Sequence, residues 1–114
     1  MKIATWNVNS IAIRLEAVLQ WLDATKTDVL CLQEIKCVDE KFPHLDFLQA
    51  GYNSIFMGQK SYNGVAILSN REIKNPVYNF PDDADDAPKR LIAADIEGIH
   101  IVNTYSQRNG ALDR

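Results

Sequence analysis

Two oxygen-bearing side chains, one at the end of each of two predicted strands, could begin a metal site. Asn7 lies at the end of the first predicted strand, Ile3 to Val8, and Glu34 directly follows the second, at residues 28–33. Amide and carboxylate oxygens are ligands that Mg²⁺ and Mn²⁺ prefer, and magnesium usually keeps water and substrate phosphate in its other positions. The two side chains would therefore start a magnesium site without completing it. The alternative explanation is an Asn that forms a turn and a solvated Glu.

The elements between these two residues must place them at one edge of a sheet. Apolar residues recur at helical spacing between the strands, which predicts an amphipathic helix over about residues 12–25, capped by Ser10. A strand, a helix and a strand in this order imply a right-handed crossover between parallel strands. Open α/β sheets place their ligands at the carboxyl ends of such strands. We therefore predict that Asn7 and Glu34 lie together, with side-chain oxygens roughly 4–5 Å apart.

The rest of the chain reads mainly as short strands. Period-2 and apolar runs predict further strands at residues 52–57, 65–69, 73–78, 90–96 and 99–104. A short helix should end at Gly51, and the Pro- and Asp-rich stretch from Asn79 to Pro88 should be an exposed loop. The predicted fold class is α/β, with one mixed β-sheet, a helix layer on one face and a single domain over residues 1–114.

Composition and charge limit the class of protein. The formal net charge is −3, whereas a protein that holds DNA mainly by charge neutralisation should be basic. A bound metal ion supplies positive charge that this count omits. Cys31 and Cys37 are expected to be reduced thiols. Because no apolar run suits a membrane helix or a signal peptide, we expect a cytoplasmic protein with no membrane partner.

Three local sequences carry a resemblance to a known family. They are residues 6–11 (WNVNSI), 32–36 (LQEIK) and 64–69 (GVAILS). Together they resemble, in order and spacing, the signatures of exonuclease III, the bacterial apurinic/apyrimidinic endonuclease branch of the endonuclease/exonuclease/phosphatase superfamily. The resemblance covers nearly the whole chain. It favours the nuclease branch over a phosphatase that acts on a phosphoinositide or another small phosphate ester.

The resemblance implies both a fold and an activity. The fold would be a four-layer α/β/β/α sandwich of two mixed sheets with helices outside, and this chain would be its N-terminal half. The activity would be hydrolysis of DNA phosphodiester bonds beside abasic sites and at 3′ ends. Its implied partner is double-stranded DNA with abasic sites or 3′ ends. The implied cofactor is Mg²⁺, with Mn²⁺ as the alternative.

The resemblance also implies roles for individual residues. Asn7 and Glu34 match the metal-site residues, and Tyr105 matches a catalytic tyrosine whose phenol hydrogen-bonds the scissile phosphate. The positions that match site-lining or DNA-contacting side chains are Asn9, Arg14, Lys36, Tyr62, Asn63 and Arg90. The cations among them could equally be ordinary surface residues, and Tyr62 a hairpin aromatic. Two departures are Ala12, where the family usually has a basic residue, and the lack of a proline soon after Tyr105.

Other residues that the family needs would lie beyond residue 114. They are an Asp-x-Asn pair, a late Asp and an Asp-His pair, so we expect the 114 residues alone to be inactive. The alternative from another class is a non-catalytic chain that folds and self-associates. We also expect an apolar inner sheet face, formed by Val65, Ile67, Ile92 and Ile101, that the chain leaves uncovered. The missing C-terminal half or a second copy of the chain would then cover it.

Overall fold

The structure is a computed structural model, and it describes residues 1–79 and 90–104. The helices and strands are β1 (Ile3–Asn7), α1 (Ile11–Thr25), β2 (Val29–Gln33), a 3₁₀ turn (Asp39–Lys41), α2 (His44–Gln49), β3 (Asn53–Met57), β4 (Val65–Ser69), β5 (Lys74–Tyr78), β6 (Leu91–Ile96) and β7 (Ile99–Thr104). The loop expected from Asn79 to Pro88 lies almost wholly outside the described residues. Within them, no helix is long and apolar enough to cross a membrane.

The predicted strand–helix–strand unit is confirmed. Ser10 caps α1, since its Oγ accepts a hydrogen bond from the Ile13 N–H at 3.4 Å. The helix ends at Thr25, and the next residue, Lys26, takes a left-handed conformation and donates its N–H to the Leu22 carbonyl. β1 and β2 pair in parallel, with Asn7 opposite Gln33 at the carboxyl end. The crossover therefore brings the two strand ends to one edge of the sheet.

The first sheet is mixed and has the order β1-β2-β4-β3. β4 runs antiparallel to both of its neighbours, and every residue of β2 and of β4 is buried. Alternate side chains of these strands enter two different cores: Leu30 and Leu32 pack with the helix layer, whereas Val29 and Cys31 point to the opposite side. Strands that are apolar on both faces need a covering layer on each side.

A second, three-stranded sheet provides the other covering layer. Its order is β5-β6-β7, and all of its pairings are antiparallel. The α/β class and the mixed sheet are therefore confirmed, but the expectation that all strands belong to one sheet was wrong. The physical reason is that β2 and β4 are buried on both faces, so the later strands cover the second face of the first sheet instead of extending its edge.

The inner apolar face is covered by the chain itself. Val65, Ile67, Ile92 and Ile101, which we expected to face water, lie together in the core between the two sheets. Ile67 and Ile92 are fully buried, and Ile101 is 7% exposed. The expectation of an uncovered face was wrong because β6 and β7 pack across β2 and β4. This face therefore does not require a second copy of the chain.

A buried amide pair joins the two sheets. Asn103 of β7 donates through Nδ2 to the carbonyl oxygens of Leu32 and Ala66, at 2.9 and 2.8 Å. Its Oδ1 accepts from Gln33 Nε2 at 2.8 Å, and the same nitrogen donates to Thr5 Oγ1 at 2.7 Å. Both amides are buried, so these bonds satisfy polar groups that would otherwise be stranded in the core.

An ion-pair network joins the opposite ends of the sheets. Arg71 contacts Asp28 at 3.0 Å and Glu97, in the β6–β7 turn, at 3.2 Å. The backbone N–H of Lys2 also donates to Asp28 at 2.7 Å. The Lys2 hydrogen bond, followed by that of Arg71, lowers the pKa of Asp28 to about 2. Asp28 therefore stabilises the fold as a carboxylate.

The two cysteines are free thiols, as their sequence context predicted. Cys31 is buried in the core between the sheets, and burial raises the pKa of its thiol to about 11. Cys37 is half-buried, and burial together with the Asp39 charge raises the pKa of its thiol to about 11. Both thiols are therefore protonated at neutral pH and poor nucleophiles.

Replacement of the amide that joins the sheets should destabilise the protein. In Asn103→Asp, a carboxylate oxygen replaces the Nδ2 donor and faces two carbonyl oxygens in the core. We expect a loss on the order of 3 kcal/mol in the free energy of unfolding, measured by urea denaturation. The control Gln20→Glu makes the same amide-to-acid change at an exposed position of α1 and should be nearly neutral. Equal urea midpoints for the two variants would contradict the proposed role of Asn103.

The Asp28 carboxylate should make stability depend on acid pH. Its pKa in the folded chain is below the value of about 4 expected when unfolded, so its contribution is present above about pH 4 and lost as the pH falls towards about 2. The difference in free energy of unfolding between the wild type and Asp28→Asn should therefore shrink over that range. Asp23→Asn, on the exposed face of α1, should change the free energy of unfolding by less than about 1 kcal/mol, because its ion pair with Lys26 is highly exposed. A constant difference for Asp28→Asn would contradict the assignment.

Candidate metal centre

Asn7 and Glu34 lie in direct contact at the carboxyl edge of the first sheet. Asn7 is the last residue of β1, and Glu34 is the first residue after β2. The Asn7 Nδ2 donates a hydrogen bond to Glu34 Oε2 at 2.6 Å. The structure thus brings the two side chains together at one edge, as the parallel crossover predicted. Whether they hold a metal ion stays a prediction.

The two side chains contribute differently to this pair. The Asn7 Oδ1 accepts a hydrogen bond from the backbone N–H of Asn9 at 3.2 Å, which turns its amide nitrogen towards the carboxylate. Asn7 therefore orients Glu34 in this arrangement through Oε2, and it does not contact Oε1 through this hydrogen bond. The contact between the two residues fixes one carboxylate at the strand ends.

Strained backbone is concentrated around this edge. Of the ten non-glycine residues with positive φ in the described parts of the chain, six lie in the three loops at this end. They are Asn9, Ser10, Glu34, Lys36, Ser61 and Asn63. Left-handed conformations of such residues cost free energy and tend to occur at functional sites. The left-handed backbone conformation of Glu34 is therefore held by tertiary contacts, because the intrinsic preference of a glutamate does not favour it.

Backbone hydrogen bonds hold these three loops together. The Glu34 carbonyl accepts from the Ser10 N–H at 2.8 Å, which joins the loop after β2 to the loop after β1. The Ile35 N–H donates to Gly64 at 3.2 Å and the Lys36 N–H to Asn63 at 3.0 Å, which joins the same loop to the β3–β4 connection. Glu34 is therefore held by the backbone on both sides.

Lys36 also belongs to this cluster. Its ammonium group donates to Asn9 Oδ1 and lies 3.7 Å from Glu34 Oε1. The side chains of Lys36 and Glu34 are 29% and 32% exposed, so the pair is partly shielded from water. Asn7, Asn9, Glu34 and Lys36, which the resemblance named separately, thus form one connected cluster.

The structure also describes four of the other residues that the resemblance named, Arg14, Tyr62, Asn63 and Arg90. Tyr62 is exposed in the β3–β4 connection, whereas Asn63 is buried and donates to Gln59 at 3.1 Å. Arg14 is exposed in the first turn of α1. Arg90 precedes β6, and its Nε is buried with no hydrogen-bond partner among the described residues. Tyr105 lies outside the described residues.

A basic cleft adjoins the cluster. It has a volume of about 590 Å³ and is lined by Ile11, Ala12, Lys36, Cys37, Val38, Lys41, Lys60 and Ser61. The sequence interpretation did not select Lys41 or Lys60, although the charged composition of residues 36–43 was a signal for the former. These lysines supply positive charge beside Ala12, where the resemblance led us to expect a basic residue. The cleft can therefore attract an anionic ligand despite the net charge of −3.

The donor set fits part of a magnesium site. Across residues 1–79 and 90–104, no three His, Cys, Asp or Glu side chains come close enough to hold a metal ion by themselves. One oriented carboxylate is nevertheless compatible with magnesium, which keeps several waters and uses substrate phosphate as a ligand. Glu34 can be one protein ligand, with Asn7 as the residue that orients it.

The chain belongs to the endonuclease/exonuclease/phosphatase family, because the sequence model of that family matches residues 4–113. It is 39% identical to exodeoxyribonuclease III of Haemophilus influenzae over 109 residues, which are 92% of this chain and 41% of that protein. The expected resemblance to exonuclease III is thereby confirmed.

Solved structures support the same assignment. An AP endonuclease from Archaeoglobus fulgidus is 46% identical to this chain, with a TM-score of 0.86. The match covers 92% of this chain and 41% of that protein. The 3′ phosphatase NExo from Neisseria, bound to a product DNA hairpin, is 41% identical, with a TM-score of 0.88 and the same coverage. The chain thus spans about 41% of the length of each of these relatives.

The close approach of Ile35 should make substitution of Gly64 more costly than substitution of another glycine with positive φ. Gly64 and Gly98 both have positive φ, at +92° and +79°, but only a Cβ at Gly64 would meet another atom, Ile35 Cγ1 at 2.5 Å. We expect Gly98→Ala to cost about 1–2 kcal/mol from backbone strain and Gly64→Ala a further 1–3 kcal/mol, roughly, from overpacking. Thermal or urea denaturation measures both. Equal losses would show that the loop contact does not constrain the site.

Proposed function

We propose that this chain is the N-terminal part of a single endonuclease/exonuclease/phosphatase domain that hydrolyses DNA phosphodiester bonds with Mg²⁺. The activity would be of the exonuclease III type, with cleavage beside abasic sites and from 3′ ends. The observation that carries the proposal is the Asn7–Glu34 contact of 2.6 Å at the carboxyl edge of two parallel strands, in a chain of this family. Relatives named as exodeoxyribonuclease III and AP endonuclease support the choice of substrate.

Different residues of the chain would hold the metal ion, orient its ligand and hydrogen-bond the phosphate. When bound at Glu34, the metal ion would neutralise charge on the phosphate and polarise its oxygens. Asn7 orients the Glu34 carboxylate, and the phenol of Tyr105 would donate a hydrogen bond to a phosphate oxygen. Mn²⁺ could replace Mg²⁺, since both prefer oxygen ligands.

Contacts to the DNA would come from the loops at the same edge. Lys36, with Lys41 and Lys60 in the adjoining cleft, would neutralise backbone phosphates beside the reacting one. Asn9 and Arg14 in the first loop and helix, Tyr62 on the β3–β4 connection, and Arg90 before β6 would extend this surface along the duplex. Asn63 would contact DNA only if its buried amide left Gln59, so its proposed contribution is to hold the loop.

The remaining catalytic groups would come from a C-terminal part that completes the sandwich. β1 and β7 are the outer strands at one side of the two sheets, and a groove of about 410 Å³ opens along residues of β1, β2 and β7. Unpaired strand edges are templates for further strands. We infer that this groove receives the C-terminal part, and that a self-associating chain would use the same edges. The chain alone would be inactive, since Glu34 is the one acidic ligand at the cluster among the residues that the structure describes.

A DNA 3′ phosphate is a second candidate substrate. One similar structure is named as a 3′ phosphatase bound to a product DNA hairpin, and its identity to this chain is 41%. Hydrolysis of a phosphate monoester at a DNA end would use the same metal and phosphate contacts as hydrolysis of a diester. A 3′-phosphorylated duplex therefore belongs beside the abasic duplex in any assay. This finding favours a DNA end over a small phosphate ester.

A chimaera tests the proposed activity. Residues 1–114 would replace the matching part of the Haemophilus influenzae relative, and a folded chimaera should cleave an abasic duplex when Mg²⁺ is present. Glu34→Gln should lower its turnover at least about 100-fold while DNA binding persists, because the carboxylate holds the metal ion and not the duplex. Tyr105→Phe should cause a smaller loss, since it removes one hydrogen bond to the phosphate.

The control for this assay is Glu16→Gln, which makes the same chemical change on the exposed face of α1 and should leave turnover unchanged. The 114-residue chain alone should not cleave the duplex. Normal turnover by the folded Glu34→Gln chimaera, or cleavage by the chain alone that depends on Glu34, would overturn this part of the proposal.

A further inference from the structure

The strongest unassigned feature of the molecule is the position of Lys36 in the candidate metal centre. We propose that the Lys36 ammonium is the counter-ion of Glu34 in the cation-free chain, and that a divalent cation must displace it to bind. Lys36 would thereby set how tightly this edge holds Mg²⁺. This inference rests on the proposed function, because it takes Glu34 to be a metal ligand.

The first argument is that both carboxylate oxygens of Glu34 already have partners. Oε2 accepts the hydrogen bond from Asn7 at 2.6 Å, and Oε1 faces the Lys36 ammonium at 3.7 Å. Each oxygen of the carboxylate therefore already has a partner. A magnesium ion coordinated by Oε1 would lie about 2 Å from it. The ion and the ammonium would then be close like charges, so Lys36 would have to move away or weaken cation binding.

The second argument is that the backbone holds Lys36 in this position. Glu34 and Lys36 both have a φ of 54°, and the Lys36 N–H donates to the Asn63 carbonyl at 3.0 Å. The ammonium group also bonds Asn9 Oδ1, which lies in the loop after β1. A freely moving surface lysine would have none of these restraints. The partial burial of the pair, 29% and 32% exposed, also limits screening by water.

The third argument is that a displaced ammonium has a place to go. The Lys36 side chain also lines the basic cleft with Lys41 and Lys60. Rotation away from Glu34 would free the Lys36 charge to act in this cleft, next to the phosphate that the bound cation would also contact. Cation binding at Glu34 and anion binding in the cleft would therefore favour one another. The ordinary alternative is a surface ion pair with no influence on cation binding.

Manganese binding to the 114-residue chain tests the proposal without any measurement of catalysis. Mn²⁺ is titrated into the ¹⁵N-labelled chain, and paramagnetic broadening of amide signals near Asn7 and Glu34 reports the affinity at this edge. Lys36→Met removes the ammonium but keeps the apolar stem, and we expect it to bind Mn²⁺ at least about fivefold more tightly than the wild type. Competition with Mg²⁺ should show the same order of affinities.

The matched control is Lys41→Met, which removes the same charge from the same cleft. Lys41 contributes to the lining of the cleft, but it has no contact with Glu34 among the described residues. Its Mn²⁺ affinity should stay within about twofold of the wild type, because only long-range attraction changes. Equal affinities for Lys36→Met and Lys41→Met, or weaker binding by Lys36→Met, would overturn the counter-ion role.

Two further variants separate this inference from the metal-site proposal. Glu34→Gln should abolish the broadening, and Lys36→Gln should repeat the effect of Lys36→Met if the methionine variant lost its dispersed amide spectrum. Unchanged affinity on loss of Lys36, together with loss of binding in Glu34→Gln, would leave the metal site intact and the counter-ion role wrong. No broadening near Glu34 in the wild type or any Lys36 variant would contradict both proposals.

Discussion

The two-sided burial of β2 and β4 is the constraint on which the rest of the structure depends. All five residues of each strand are buried, and their side chains alternate between a core under the helices and a core between the sheets. Because apolar strands cannot leave either face in water, helices must cover one side and a second sheet the other. β1 and β3 then occupy the sides of this central pair, and β5–β7 fold across it.

The candidate metal centre lies where the core between the two sheets ends, at the carboxyl edge of β1 and β2. Towards the carboxyl edge, the face between the sheets changes from apolar residues to the polar groups of Thr5, Gln33 and Asn103, which bond one another. Two residues beyond Thr5 and directly after Gln33, the Asn7 amide meets the Glu34 carboxylate. The polar edge is thus continuous with the bonds that join the sheets. The position of Glu34 therefore depends on the packing of both sheets as well as on its own strand.

Local charge at this edge differs from the charge of the whole chain. The net charge is −3, yet Lys36, Lys41 and Lys60 line one cleft beside the acidic ligand candidate Glu34. Electrostatic attraction of a phosphate depends on such nearby charges more than on the total, because salt screens charges beyond about 8–10 Å. A mildly acidic chain can therefore carry a local anion-binding surface.

The sequence by itself determined the strand–helix–strand unit and the meeting of Asn7 with Glu34. Helical periodicity between two apolar runs, together with the fixed hand of the crossover, leaves one arrangement for the strand ends. Short sequences around these residues also determined the family. The sequence did not determine the second sheet, the burial of Asn63, or the contact of Lys36 with Asn9 and Glu34. A period-2 pattern indicates which residues share one face of a strand. It does not indicate which element covers that face or which loop side chains meet beyond the strand ends, because both depend on tertiary packing.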